Sequence, residues 1–294
     1  MATLTGQTIA GSYKDLLQVS NSNDGVDTTA RAVSDGEGTA TLLYLSTTEV
    51  YSPGAGGNTG NTIFGKDAFN TSTNNASDYN TLIGELAAGT GTVAGAINNV
   101  GLGYKALNAL TSGDYNVAIG DHAMLTNASG EVNVAVGTSA LRTNTGSQNT
   151  AVGGNAMYAN VGGQNNVAVG HNALDANISG NSNVAVGKDA LGANTIGADN
   201  VAIGLGALTT EDVGDRAVAI GTNALFSQNS DSNNEDSLNI GVGHGAGYYN
   251  VTGQNNTYIG GFAGTGASGQ SNNNNTAVGS QALTAITDRG FNTV

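Results

Sequence analysis

The residues of this chain with chemistry to offer are three histidines and a scatter of carboxylates. His122, His171 and His244 each stand one or two positions after a glycine, and Glu85, Asp121 and Asp189 occupy the same kind of place. Imidazoles and carboxylates bind metals or move protons only when they converge. Here the histidines stand three or more coils apart, and the acids are spread over many coils. The stretch FSQNSDSNNEDSL differs, because Asp231, Asn233, Glu235 and Asp236 bring hard oxygen donors close together in the 227–237 loop. That is calcium-type chemistry, but the glycine that an EF-hand loop requires is missing. A solvated insertion loop is the favoured reading.

Two glycine motifs also have to be weighed. Gly60 to Lys66 has the spacing of a phosphate-binding loop, yet Asp67 stands where a hydroxyl should hold magnesium. Gly101-Leu-Gly103 and Gly241-Val-Gly243 mimic a dinucleotide fingerprint, and no helix-forming stretch follows either. No pair of acids is implied at a glycosidase separation. Trp, common in sugar-cleaving grooves, is absent, as is Cys, so thiolate sites and disulfides are excluded. The expectation is a protein that is not an enzyme, with no cofactor and no metal.

All of these residues hang on one repeat. NVAIGDHAMLTNASG, residues 116–130, is followed seventeen positions later by NVAVGTSALRTNTG. Taking the Gly of each unit as anchor gives Gly65, Gly84, Gly103, Gly120, Gly137, Gly153, Gly170, Gly187, Gly204, Gly221, Gly243, Gly260 and Gly279. Most spacings are 17, with 22 between Gly221 and Gly243 and 19 before Gly279. Asn precedes the anchor by four in every unit except that of Ala217, and Ala follows by three throughout. A fixed period of this size is the signature of a solenoid.

Within a unit, Val117 and Ile119 flank Ala118, and the same alternation recurs at Val134, Ala135 and Val136. Period two with β-branched residues predicts a short strand, its bulky face buried and its Ala face pressed against a neighbour. The Ala-Leu or Ala-Met after the corner predicts a second strand, and turns such as NASG close the coil. One coil buries too little to stand alone, so stability must come from stacking. Stacked Asn amides predict a ladder along the axis. The expected fold is all-β, a parallel β-roll or β-solenoid of about thirteen coils, roughly 60 Å long.

Composition agrees with a structural reading. Only 10% of residues are charged and 46 are Gly, while Val, Ile and Thr recur at fixed places rather than at random. A net charge of −14 with scattered basic residues argues against nucleic acid as a partner. No apolar run is long enough for membrane insertion, and MATLTGQTIAGSYKDLLQV does not read as a secretory signal.

The NVAIG and NVAVG cores followed by two variable residues and Ala resemble the head repeats of trimeric autotransporter adhesins over about three quarters of the chain. That resemblance implies a homotrimer wound about a threefold axis. The family's usual period is shorter, and no counterpart of its signal peptide, stalk and anchor is expected in this protein. The longer period is also similar to repeats of bacteriophage fibre proteins. YKDLLQVSNSNDGVDTTARAVSDGEGTATLLYLSTTEV looks like the leading segment that attaches such fibres to the particle.

The resemblance implies a phage virion protein made in the host cytoplasm, a tail fibre before a capsid head fibre or decoration protein, with a trimeric bacterial surface adhesin as the alternative. Residues 1–51 form the expected attachment module, a small β unit. Tyr13, Lys14, Asp15, Leu16 and Leu17 are candidates for contact with other virion proteins. Residues 52–60 form a linker holding the single Pro, 61–283 the rod and 284–294 a C-terminal cap. In the cap, Asp288, Arg289 and Phe291 are candidates for a tip contact, such as a host-surface receptor.

Overall fold

The computed structural model describes residues 60–69, 71–72, 76–232, 235–268, 271–286 and 290–294, together with four N-terminal strands as backbone. Those strands, Gln18–Val19, Arg31–Ser34, Ala40–Leu45 and Val50–Tyr51, pair antiparallel in chain order. Tyr13 to Leu17, Asp288 and Arg289 lie outside the described residues.

From Thr62 onward the chain is an all-β parallel solenoid. Thirteen strands, one per coil, form a single parallel sheet in sequence order from Thr62–Phe64 to Thr276–Val278. The register is strict, with Val117 opposite Val134, Ala118 opposite Ala135 and Ile119 opposite Val136. No helix occurs among the described residues.

The strand faces are the reverse of the sequence expectation. Ala118, Ala135, Ala151, Ala168, Ala185, Ala202 and Ala219 are fully buried inside their own chain. The branched residues on either side point outward, Val152, Val169, Ile203 and Ile220 each retaining 37% exposure. The cause is the width of the coil. Seventeen residues enclose room for one small side chain from the strand and one Leu or Met from the opposite wall. Leu107, Met124, Leu141, Met157, Leu174, Leu191, Leu208 and Leu225 fill that second place, all fully buried. A pair of Val or Ile directed inward would overfill it.

The opposite wall is not the second strand that the Ala-Leu stretch predicts. It is a run of tight turns. His122 N–H donates to Tyr104 O of the preceding coil, while Met124 N–H donates to Ala140 O of the following one. This up-and-down alternation needs left-handed backbone at both residues, φ 57° for His122 and 50° for Met124. Leucines in that conformation recur at Leu107, Leu141, Leu174, Leu191, Leu208 and Leu225. Each carries steric strain of about 1–2 kcal/mol, offset by burial of its side chain.

The anchor glycines sit at φ of 129–141° in all thirteen coils. A Cβ on Gly170 would stand 2.5 Å from Gly187 O of the next coil. Left-handed backbone and close stacking together therefore exclude any side chain. At Gly279, where the described stack of anchors stops, nothing lies within 4 Å.

The Asn preceding every strand but Val218–Ile220, where Ala217 takes its place, forms the expected ladder, mainly through backbone partners. Asn116 Oδ1 accepts from Asn133 N–H at 3.0 Å, and Asn116 Nδ2 donates to Gly130 O at 2.8 Å. The same pair of bonds recurs at Asn166 and Asn183, with every member fully buried. The chain past Leu283 returns to this ladder. Asn292 N–H donates to Asn275 Oδ1 at 3.0 Å, and Thr293 bridges Thr276 in parallel. Residues 292–294 thus lie as a further rung on the last strand.

Candidate functional site

The proposed chemical residues meet at most in neighbouring pairs. His122 Nδ1 lies 2.8 Å from Asp121 Oδ2 and its ring meets Tyr104 edge-on. His244 meets Phe262 edge-on, and Lys188 lies 3.0 Å from its neighbour Asp189. His171 lies close enough to Asp175 to act on its carboxyl electrostatically. Among the described residues no three His, Asp or Glu converge as metal ligands. Gly60 to Lys66 leads into a ladder strand, and the glycine pairs at 101–103 and 241–243 are strand and anchor positions.

The 227–237 loop is docked on the rod. Asp236 accepts two bonds from Arg216 Nη1, at 2.5 and 2.6 Å. Glu235 accepts from Asp231 N–H at 3.0 Å and from the Gln254 side chain. Its carboxylates therefore serve separate partners; Asn233 lies outside the described residues. Asp231 and Ser232 are exposed, but Ser230 turns inward and is buried. The extra residues before Gly279 surface at Ala267 and Ser268.

What the fold does expose is a ridge. Along one face of the parallel sheet run two columns of Thr, Val and Ile, headed at one end by Thr62 and Phe64 and at the other by Thr276 and Val278. Phe64, Ile83, Leu102, Val152, Val169, Ile203, Ile220, Ile259 and Val278 keep between 37% and 58% of their surface. At about 4.8 Å per rung and some 10 Å across, the strip covers roughly 600 Å², as large as the largest apolar patches of monomers. A parallel sheet is ordinarily covered on both faces. Away from the ridge, Phe226 stacks on Tyr248 at 5.0 Å, and Tyr249 meets Tyr248 edge-on. Phe291 is 85% exposed at the far end.

Sequence reasoning missed two features here. The ridge was hidden because alternation gives two faces without saying which is inside. The second is an interior amide column, Asn127, Asn144, Asn160, Asn177 and Asn194, which stands seven places after each of five successive anchors from Gly120 to Gly187 but reads locally as turn residues.

No family model matches the chain, and no curated protein or solved structure matches it either. The solenoid therefore rests on the chain's own geometry. No helix of the described residues is long and apolar enough to cross a membrane.

Proposed function

We propose that this protein is a structural, non-catalytic fibre of a bacteriophage virion, a homotrimer whose chains bury their Val and Ile ridges against one another. The single observation that carries this reading is the uncovered ridge on the parallel sheet. Its rungs repeat at one spacing over thirteen coils, so a second and third copy in register supply the complementary surface. Residues 1–51 attach the rod to other virion proteins, and the far end around Phe291 faces a host-surface receptor. A tail fibre is the favoured placement.

Light scattering of the purified protein tests the assembly, with an expected mass of three times 29.0 kDa. A clean monomer would overturn the trimer. Antibody labelling of intact phage particles tests the placement, and signal on bacterial surfaces instead would favour an adhesin.

A further inference from the structure

The interior amide column is interrupted at the Glu211 rung, where the buried Asn194 Oδ1 on one side and the buried Gln228 Nε2 on the other have no hydrogen-bond partner. From Asn144 to Asn194 each coil donates to the one before it. Asn160 Nδ2 reaches Asn144 Oδ1 at 2.7 Å, Asn177 Nδ2 reaches Asn160 Oδ1 at 2.6 Å, and Asn194 Nδ2 reaches Asn177 Oδ1 at 3.0 Å. The next residue in the column is Glu211, which has no amide hydrogen to offer. Asn194 Oδ1, turned toward that rung by the ladder's direction, has no hydrogen-bond partner, although Asn194 is fully buried. Beyond the break the column resumes, Asn250 Nδ2 donating to Gln228 Oε1 at 2.9 Å.

Glu211 is itself fully buried, and no Lys, Arg or His ion-pairs with it among the described residues. Its Oε1 accepts from Gly214 N–H at 2.8 Å and Ser230 N–H at 3.1 Å, and its Oε2 accepts from Ser230 Oγ at 3.2 Å. The wall beside it is glycine. A Cβ on Gly214 would stand 2.1 Å from Ser230 Oγ and 2.8 Å from Glu211 Oε1. A buried carboxylate without a counter-charge is destabilising, as is a buried acceptor without a donor.

We propose that Asn194, Glu211 and Ser230 frame a site inside the rod for one monovalent, oxygen-liganded cation of sodium size. Two oxygens stacked one rung apart are separated by about 4.8 Å. A cation with oxygen distances near 2.4 Å, in the range calcium also uses, bridges them at the midpoint, whereas magnesium at about 2.0–2.1 Å is too small. Charge selects between sodium and calcium. One carboxylate neutralises one monovalent ion, and a divalent ion would leave a net charge in the core.

The test compares thermal unfolding of the full-length protein in sodium, choline, calcium and magnesium chlorides at matched ionic strength. The expected result is a melting temperature at least about 2 °C higher in sodium than in choline. That difference should vanish in Glu211→Gln and in Glu211→Asn, the latter restoring the residue of the other coils. A calcium-specific gain with no sodium effect would overturn the monovalent assignment. Equal melting in all four salts, or a sodium effect unchanged in both variants, would overturn the site itself.

Discussion

The ring of Tyr258 fills the space that a side chain at Gly264 would occupy, since a Cβ there would lie 2.1 Å from Tyr258 Cδ1. Tyr258 stands on the strand where most coils carry Ala, and Gly264 on the opposite wall where most carry Leu or Met. The neighbouring coil gives way as well, because a Cβ on Gly247 would lie 2.8 Å from the same ring. Leu82 opposite Ala88 is the same exchange on a smaller scale. Across the coil, one large residue and one small one share a fixed volume.

Gly264→Ala should therefore destabilise the rod by about 1–3 kcal/mol through overpacking. In a Tyr258→Ala background the added penalty of Gly264→Ala should shrink, because the ring that its methyl would strike is gone. Denaturant unfolding of the two single variants and the double variant measures the coupling. Additive losses would show that the two sites do not share space.

Burial also pushes the Tyr258 phenol up to about 12 from 10.0, with Asn275 offsetting part of the effect. A raised folded value stabilises the fold below the unfolded value. That stability is lost as pH rises from about 10 through about 12, to the extent of ~3 kcal/mol. Alkaline titration followed by tyrosinate absorbance should show one late-ionising phenol that disappears in Tyr258→Phe.

The anchor glycines offer a contrast between the middle and the end of the stack. Gly170→Ala places a methyl against Gly187 O and should break the ladder locally, a loss of at least about 3 kcal/mol. Gly279→Ala meets nothing and pays only for its left-handed backbone, about 1–3 kcal/mol. Hydrogen exchange on the two variants should show opening in the first around residues 153–187. Similar losses for the two would mean that stacking contact is not what selects glycine.

Inward and outward strand residues should fail differently. Ala168→Phe overfills the coil interior and should lower the stability of each chain. Val169→Lys lies on the ridge and should leave circular dichroism intact while weakening association. Ultracentrifugation of both variants separates folding from assembly, and a fully associated Val169→Lys would argue that the ridge is not the interface.

Asp175 is a smaller, pH-dependent case. Burial, reinforced by nearby Asp189, holds its carboxyl above the usual value of 3.8 despite a backbone hydrogen bond and His171. A raised carboxyl favours the folded state at acid pH, and that benefit is lost as pH rises above the ordinary carboxylate range. Asp175→Asn should therefore be slightly more stable at neutral pH, by less than about 1 kcal/mol. The gain should fade toward pH 3, which thermal melts across that range would reveal.

The sequence by itself determined the period, the strand positions, the anchor glycines and the Asn ladder. Each depends on a local requirement repeated in every coil. A Gly at φ near 140° packed against the next coil tolerates no side chain, and the buried amide recurs in every coil but that of Ala217, so their spacing is written openly. Which strand face turns inward was decided only by the tertiary structure. Val-Ala-Ile alternates identically in both orientations, and the choice depends on how much volume Leu174 or Met157 already takes from the other wall. The second wall's turns were equally hidden, because left-handed leucines contradict their local preference and are stabilised only by burial. Glu211 is the sharpest instance. In the sequence it is one acid among 22, and only stacking between Asn194 and Gln228 makes it a buried break in the amide column that runs from Asn144 to Asn194.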